Sequence, residues 1–268
     1  QWENIRIVLM SHELPKYEGE KFDNGFNLTV NDCLTIEEAL QININQSPFT
    51  VIMRSPGYEQ DLVRGLLHNE DIYNGNSKLD LKGVNVNKLN YITEVNVDID
   101  EEFLGGGYLS SRSMLSVSSC GICGKRELGD LSVKGEKLSG SDFNTAIFER
   151  MFLKMKNEQK DFSKSGGSHA ASAFNKTGDM LIIREDIGRH NAVDKVVGGL
   201  LNASILSDAT FLLVSGRVSY EIVTKTFRAK IPILLAVSAP STLAIDFAKE
   251  LGVTVFGFCR DKKATRYS

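Results

Sequence analysis

Two cysteines, Cys120 and Cys123, have a spacing that could support chemistry. They stand in Ser118-Ser-Cys-Gly-Ile-Cys-Gly-Lys125, so glycines surround the second thiol and a lysine follows. Positive charge beside an exposed thiol favours the thiolate, which is both the nucleophile and the metal ligand. The pair could be half of a four-ligand zinc site, a dithiol/disulfide couple or a nucleophile that carries a covalent cargo. The remaining alternative is a reduced pair that only packs.

The composition of the 268 residues is that of an ordinary globular protein. Apolar residues make up 42% and charged residues 24%, both near the averages for soluble domains. A net charge of -3 argues against a whole-surface nucleic-acid binder. The chain has only four cysteines and is long enough to fold without disulfides, which indicates a reducing cytoplasm.

Targeting and membrane segments are not expected from the sequence. No apolar run reaches the length of a membrane span, and the possible short strand Ile5 to Met10 is too short for a signal-peptide core. The sequence begins at Gln1, and we expect it to lack part of its natural N-terminus. We therefore predict a cytoplasmic protein with no membrane or nucleic-acid partner.

Residues 1–110 predict a mostly β N-terminal part, although Ser11 to Asn24 shows no periodicity. Alternation over Leu40 to Ile44 and over Tyr91 to Val97 is typical of strands, and so is the apolar run Phe49 to Met53. Tyr58 to Glu70 places leucines on one helical face and predicts an amphipathic helix. Gly105-Gly-Gly107 and a serine-rich run then introduce residues 111–140, which we predict to be a mobile loop that carries Cys120 and Cys123.

Residues 141–268 predict an α/β domain. Apolar residues recur at helical spacing from Phe143 to Lys156, which makes Met151 and Met155 core candidates. Asn175 to Asp179 is typical of a hairpin turn. After it, apolar strands near 211–214, 233–237 and 253–258 alternate with helices, which indicates a parallel sheet covered on both faces.

Three polar loops follow these strands, where ligands of open α/β sheets bind. They are Ser215-Gly-Arg217, Ser238-Ala-Pro-Ser241 and Cys259-Arg-Asp-Lys-Lys263. Two of them precede helices, whose free N-H groups favour an anion, and Arg217 or Arg260 could hold a phosphate in a bidentate manner. We therefore predict a phosphorylated ligand; the alternative is ordinary helix capping by Ser219 and Ser241.

Two further stretches have the residue types of a polar binding site. His169 stands beside glycines and hydroxyls in Ser165-Gly-Gly-Ser-His169, where it could be functional or structural. The run Arg184 to Lys195 opens a predicted helix over 187–201, and His190 and Asp194 are four residues apart, so the carboxylate could orient the imidazole. A helix start that is merely solvated and self-paired is the alternative.

Several of these motifs together carry a family resemblance. They are Met53-Arg-Ser-Pro-Gly57, Ser119-Cys-Gly-Ile-Cys-Gly124, Gly166-Gly-Ser-His-Ala170, Arg184-Glu-Asp-Ile-Gly-Arg-His-Asn-Ala-Val-Asp-Lys195, Ser215-Gly-Arg217 and Val237-Ser-Ala-Pro240. From about residue 35 to 260 the chain resembles the FdhD family of formate dehydrogenase accessory sulfurtransferases. The Arg-Glu-Asp-x-Gly-Arg-His-Asn-Ala run is the most specific part of the match.

The resemblance implies a homodimeric sulfur carrier with a cytidine deaminase-like C-terminal α/β domain. Cys120 would accept sulfur from a cysteine desulfurase as a persulfide, and Cys123 could resolve it. The acceptor would be the molybdenum bis(molybdopterin guanine dinucleotide) cofactor, which is then inserted into formate dehydrogenase; a guanine nucleotide alone is a further candidate ligand. No resident metal is expected.

The resemblance also implies the cofactor contacts. They would come from the loops and the helix start, at His169, Arg189, His190, Arg217, Ser238, Phe258, Cys259, Arg260, Asp261, Lys262 and Lys263. The chain departs from the family after its last predicted strand, because it lacks the usual Asn-x-Tyr ending there, but the segment stays basic.

Two other functions are compatible with the sequence. A cofactor-binding chaperone would hold the same ligand without sulfur chemistry of its own. A zinc-dependent deaminase would use His-x-Glu and Pro-Cys-x-x-Cys, and the chain contains His68-Asn-Glu70, but Ser119 stands where that proline belongs.

Overall fold

The structure is a computed structural model that describes residues 13–73, 75, 77–111, 133, 135–140 and 142–268. Cys120, Cys123 and the predicted strand Ile5 to Met10 lie outside the described residues, as does most of the predicted loop 111–140. The domain limits at 110 and 140 stay predictions.

The described chain opens with a two-stranded antiparallel hairpin. β1 (Lys16–Asp23) pairs with β2 (Phe26–Cys33) along its whole length. The turn residues Asn24 and Gly25 both have positive φ, 48° and 87°, as a type I′ hairpin requires. No strand was predicted here, because Ser11 to Asn24 shows no periodicity. The dipeptide Asn24-Gly25 was nevertheless a signal for a hairpin turn.

A four-stranded sheet follows. Its strands are β3 (Glu38–Ile44), β4 (Ser47–Arg54), β5 (Leu81–Val86) and β6 (Ile92–Val97) in the order β4-β3-β6-β5. The helix α1 (Glu59–Asn69) packs with them around a core that includes Leu40, Ile42, Leu62 and Leu67. The predicted strands and helix of this part are confirmed.

The second sheet has six strands. They are β7 (His169–Phe174), β8 (Met180–Asp186), β9 (Phe211–Val214), β10 (Ile233–Ala236), β11 (Thr254–Arg260) and β12 (Lys263–Arg266), in the order β12-β11-β10-β9-β7-β8. Only β9, β10 and β11 run parallel; β7, β8 and β12 are antiparallel to their neighbours. The predicted parallel arrangement of the strands near 211–214, 233–237 and 253–258 is confirmed, and so is the predicted hairpin around Asn175 to Asp179. The antiparallel strand β12 at the other edge was not predicted.

Helices cover both faces of this sheet, as predicted. α5 (Arg189–Asn202), α6 (Tyr220–Arg228) and α7 (Thr242–Leu251) pack on one face. α3 (Phe148–Glu158) packs on the other, with Met151 and Met155 buried as expected. The short helices α2 (Gly106–Ser111) and α4 (Lys160–Ser165) lie outside these layers.

Two glycines let α1 and α5 approach closely. A Cβ on Gly65 would lie 1.8 Å from the backbone oxygen of Asp194, and a Cβ on Gly198 would lie 1.8 Å from that of Asp61. Only glycine fits at such backbone contacts. This pair of helices joins the four-stranded sheet to the six-stranded one.

Candidate functional site

A cleft of about 990 Å³ opens at the carboxyl ends of the parallel strands. Ser215 follows β9, Val237 follows β10, and Cys259 and Arg260 end β11. The opposite wall is apolar and comes from α3 and α4, with Phe148, Phe152, Leu153, Met155 and Phe162. The cleft is also lined by the basic residues Lys156, Arg260, Lys262 and Lys263. An apolar cavity with a basic rim suits a ligand that combines flat rings with anionic groups.

Hydrogen bonds join the three predicted ligand loops in a row. The N-H of Val218 donates to the carbonyl of Ala239 at 3.1 Å, and the N-H of Ser241 donates back to Val218 at 2.9 Å. The N-H of Phe258 donates to the carbonyl of Ser238 at 3.2 Å. The structure thus brings together Arg217, Ser238 and Phe258, although these residues lie beside the cleft lining rather than within it.

Helix capping accounts for one of the two serines. The hydroxyl of Ser241 accepts from the N-H of Ala244 at 3.2 Å, at the start of α7. Ser219 precedes α6 but makes no such cap bond. The N-terminus of α6 therefore keeps N-H groups that its own cap residue does not satisfy.

His169 and Arg189 meet across Gly216. A Cβ on Gly216 would lie 3.2 Å from Nδ1 of His169 and 3.5 Å from the Arg189 side chain. Partial burial lowers the pKa of His169, and the positive charges of Arg189 and Arg217 lower it further against the opposing effect of Asp186. The imidazole is therefore neutral at neutral pH. His169 lines the cleft, so a neutral ring and a guanidinium lie side by side at its edge.

The basic segment after β11 is a tight turn at the mouth of the cleft. Asp261 and Lys262 both have positive φ, 52° and 61°, and β12 begins directly after them. Lys262 Nζ lies 3.8 Å from the Glu149 carboxylate of α3. Cys259, Arg260, Asp261, Lys262 and Lys263 all line the cleft, and their contact with a ligand stays a prediction. The strand β12 had not been predicted.

The structure buries two of the predicted contacts, His190 and Cys259. Cys259 is 3% exposed and packs with Phe256 and Phe148. Burial raises the pKa of the Cys259 thiol to about 11. The group stays protonated and is a poor nucleophile, so it can contribute shape to the cleft but not thiolate chemistry.

Much of the motif Arg184 to Lys195 has a structural role. The buried carboxylate of Asp186 accepts from the N-H groups of Ser55 at 3.1 Å and Gly188 at 2.8 Å, and pairs with Lys195 at 2.8 Å. The amide of Asn191 also donates to it, at 3.0 Å. These bonds fix the segment after β4 against the start of α5, so ligand recognition is not needed to explain them.

The predicted pairing of His190 with Asp194 is wrong. Asp194 binds Lys225 of α6, with Nζ at 2.7 and 2.8 Å from its two oxygens, and accepts from Asn69 of α1 at 2.7 Å. His190 Nε2 instead lies 3.3 Å from the Ser219 hydroxyl and 3.8 Å from Glu221. Spacing along one helix predicted a local pair, but α6 supplies a stronger, cationic partner.

The His68-Asn69-Glu70 run has structural partners as well. His68 Nε2 lies 3.2 Å from the carbonyl of Arg228, and Glu70 lies 3.3 Å from Lys225. Within the ranges that the structure describes, no group of three or more His, Cys, Asp or Glu could hold a metal ion.

The chain that follows residues 112–132 runs away from the cleft. After this stretch, Gly135 lies against Phe227 at the end of α6, and the N-H of Leu138 donates to Leu251 at the end of α7. These helix ends precede β10 and β11. The chain therefore leaves this segment at the amino edge of the sheet, opposite the cleft.

These features define a mixed α/β protein with a basic, partly apolar cleft at the carboxyl edge of its parallel strands. The sequence profile of the FdhD/NarQ family matches residues 35–268, and the chain belongs to that family. The resemblance found in its motifs is confirmed.

Relatives of similar length support the assignment. The chain is 33% identical over 262 residues to Sulfur carrier protein FdhD of Sulfolobus acidocaldarius, which covers 96% of this chain and 97% of that protein. It is 38% identical over 246 residues to the protein of the same name from Mycolicibacterium paratuberculosis, covering 88% and 90%.

A solved structure shares the fold. The crystal structure of a putative formate dehydrogenase accessory protein from Desulfotalea psychrophila matches with a TM-score of 0.74 at 18% identity, covering 95% of this chain and 96% of that one. The finer prediction of a cytidine deaminase-like fold stays a prediction. Among the helices of the described residues, none is long and apolar enough to span a membrane.

Proposed function

We propose that this protein is a cytoplasmic sulfur carrier. Cys120 takes sulfur from a cysteine desulfurase as a persulfide and delivers it to molybdenum bis(molybdopterin guanine dinucleotide) for formate dehydrogenase. The observation that carries the proposal is the membership of a family whose relatives are named sulfur carriers, in a chain that holds the Cys120 and Cys123 pair. Cys259 is too buried and too weakly acidic to take that role.

The sulfur and electron balance requires both thiols of the pair. The Cys120 thiolate attacks the terminal sulfur of the desulfurase persulfide, and the desulfurase thiolate leaves. The Cys123 thiolate then attacks Sγ of Cys120, a disulfide forms, and the carried sulfur leaves as hydrosulfide, which molybdenum takes as a ligand. The two cysteines supply the two electrons, and a dithiol reductant restores them.

The cleft supports the acceptor half of the proposal. The cofactor contains flat pterin and guanine rings and several phosphates, and the cleft offers an aromatic wall and a basic rim. The guanidinium of Arg189, beside His169 at the edge of the cleft, adds a group that can bind an anion. Lys262 and Lys263 line the same cleft and could neutralise a pyrophosphate there.

A chaperone without sulfur chemistry is the second candidate, because the cleft alone would support it. Intact mass after incubation with L-cysteine and a cysteine desulfurase separates the two. We expect one reductant-labile sulfur on the wild-type protein and none on Cys120→Ala. Cys123→Ala should retain the sulfur longer, because it cannot resolve the persulfide.

Cys259→Ala is the matched control and should load like the wild type. If Cys120→Ala still gains a sulfur, another residue carries it. If the wild type gains no sulfur, the sulfur-carrier function is refuted and the chaperone function remains. Zinc in the purified protein would favour the zinc-dependent deaminase.

A further inference from the structure

The β1–β2 hairpin presents an apolar stripe to solvent on one face. The register pairs Tyr17 with Asp32, Gly19 with Val30 and Asp23 with Phe26, which puts Tyr17, Phe26, Leu28 and Val30 on the same face. Phe26 is 73% exposed, Tyr17 58% and Leu28 54%. The opposite face is polar apart from Phe22, which is 72% exposed.

Such a hairpin needs a covering surface. A two-stranded sheet is marginally stable alone in water, and contiguous exposed apolar side chains mark an interaction site. Among the described residues its base is held near α4, where Thr35 and Ser165 share a hydrogen bond of 2.7 Å. With eight residues per strand, the arm extends about 26 Å from that base.

A second exposed apolar surface lies on the wall of the cleft. Leu153 of α3 is 52% exposed and Phe162 of α4 is 46% exposed, and both line the cleft. Their neighbours are basic. Residues 148–165 hold five Lys and Arg against three acids, and residues 260–266 hold four against one.

The hairpin is complementary to this wall in charge as well as polarity. Residues 16–33 hold four acidic and two basic side chains, and Lys21, Asp23 and Asp32 share the face of the apolar stripe. An acidic arm with an apolar stripe fits a basic surface with exposed Leu153 and Phe162. Complementary potentials of this kind select a partner surface and its orientation.

We propose that the hairpin of one copy lies across the wall formed by α3, α4, β11 and β12 of a second copy, and that the hairpin of the second copy lies across the same wall of the first. Each cleft is then bounded in part by the hairpin of the other copy. The exchange is reciprocal, as a two-fold dimer requires. The inference rests on the homodimer that the family resemblance implies but not on sulfur transfer.

Two phenylalanines provide a matched test, because they have nearly equal exposure on opposite faces of one hairpin. We expect the wild type to sediment as a dimer, Phe26→Ser to weaken the dimer about tenfold or more, and Phe22→Ser to change it less than about twofold. Unchanged circular dichroism and thermal midpoint would show that both variants keep the fold. A monomeric wild type, or equal effects of the two substitutions, would overturn the proposal.

A crosslink identifies the surface that the arm covers. A benzophenone amino acid at Leu28, in a mixture of ¹⁴N- and ¹⁵N-labelled protein, should form mixed-isotope crosslinks to residues 148–165 or 260–266. Crosslinks of a single isotope would place the arm on its own chain, for example on residues 1–12, and would refute the exchange. Mixed crosslinks to any other surface would refute the stated partner wall. Sulfur loading of the Phe26→Ser monomer tests the carrier proposal separately.

Discussion

Lys225 and Asp194 form an ion pair in the interior, with Nζ 2.7 and 2.8 Å from the two carboxylate oxygens and side chains 4% and 1% exposed. Burial opposes the charge of Lys225, but Asp194 and Glu70 outweigh it and hold the pKa of Lys225 above its ordinary value. The pair connects α5 to α6, and Asn69 connects it to α1. It therefore lies where the helices of the two sheets meet.

We expect Lys225→Met to lower the free energy of unfolding by about 3–5 kcal/mol, because the substitution leaves a buried carboxylate without its cation. Lys154→Met is the matched control. It removes the exposed pair of Lys154 with Glu158 at 3.0 Å, which should change the free energy of unfolding only slightly, because water screens exposed pairs. Urea unfolding of both variants measures the difference, and a loss below about 1 kcal/mol for Lys225→Met would contradict it.

The double variant Lys225→Met with Asp194→Leu tests the cause. Removing both charges should restore part of the loss, since the penalty comes from the unpaired carboxylate. If the losses in the free energy of unfolding caused by the two substitutions instead add, the lost packing rather than the lost charge explains the effect.

Gly216 supplies a test of the ligand site. Gly216→Ala would place a Cβ 3.2 Å from Nδ1 of His169, so that ring must shift by a few tenths of an ångström, whereas the contact with Arg189 at 3.5 Å is ordinary. We expect about tenfold weaker binding of guanosine diphosphate, which carries the guanine and diphosphate groups of the proposed ligand, with a change in stability below about 1 kcal/mol.

Gly140→Ala is the control, because nothing lies within 4 Å of its added methyl group. Isothermal titration of the wild type and both variants gives the comparison. Equal affinity of all three would mean that His169 and Arg189 do not contact the nucleotide. A loss of stability in Gly216→Ala that matches the loss of binding would mean that the glycine is only structural.

Strands of the six-stranded sheet could be predicted where a short stretch of the sequence itself has the apolar pattern of a strand. Apolar runs near 211–214 and 233–237, each followed by helical periodicity, predicted β9 and β10 with their helices, and the rule for parallel strands then placed Ser215 and Cys259 beside a ligand. By contrast, Lys263–Arg266 is fully exposed, so no apolar pattern marks the strand β12.

Contacts between distant segments could not be read from the sequence. Asp186 binds the N-H of Ser55, 131 positions away, and Lys225 reaches Asp194 from another helix. In both cases a residue that suits ligand recognition is used to hold the fold. The wall of the cleft was not predicted, because helical periodicity does not separate a core face from a cleft wall: Phe152 packs against the core and also lines the cleft.

The histidine of α1 makes stability depend on pH. Burial lowers the pKa of His68, with Arg64 and Arg228 adding to the effect against the hydrogen bond to the Arg228 carbonyl and the charge of Asp71. In the unfolded chain His68 takes up a proton near pH 6.5, while the folded protein resists protonation. The unfolded state thus binds more protons below that pH, and the free energy of unfolding falls as pH decreases from about 6.5 toward the lowered pKa.

We expect His68→Gln to flatten this dependence, because an amide can still donate to the Arg228 carbonyl but does not titrate. At pH 7.5 the two proteins should have similar stability, since the imidazole is neutral there. At pH 5.5 the free energy of unfolding of the wild type should have fallen further than that of His68→Gln, by up to about 1.4 kcal/mol per pH unit below 6.5. Urea unfolding at pH 7.5, 6.5 and 5.5 measures both profiles. Parallel profiles would mean that His68 takes up its proton equally well in the folded protein, and the buried contact with Arg228 would then not govern its ionisation.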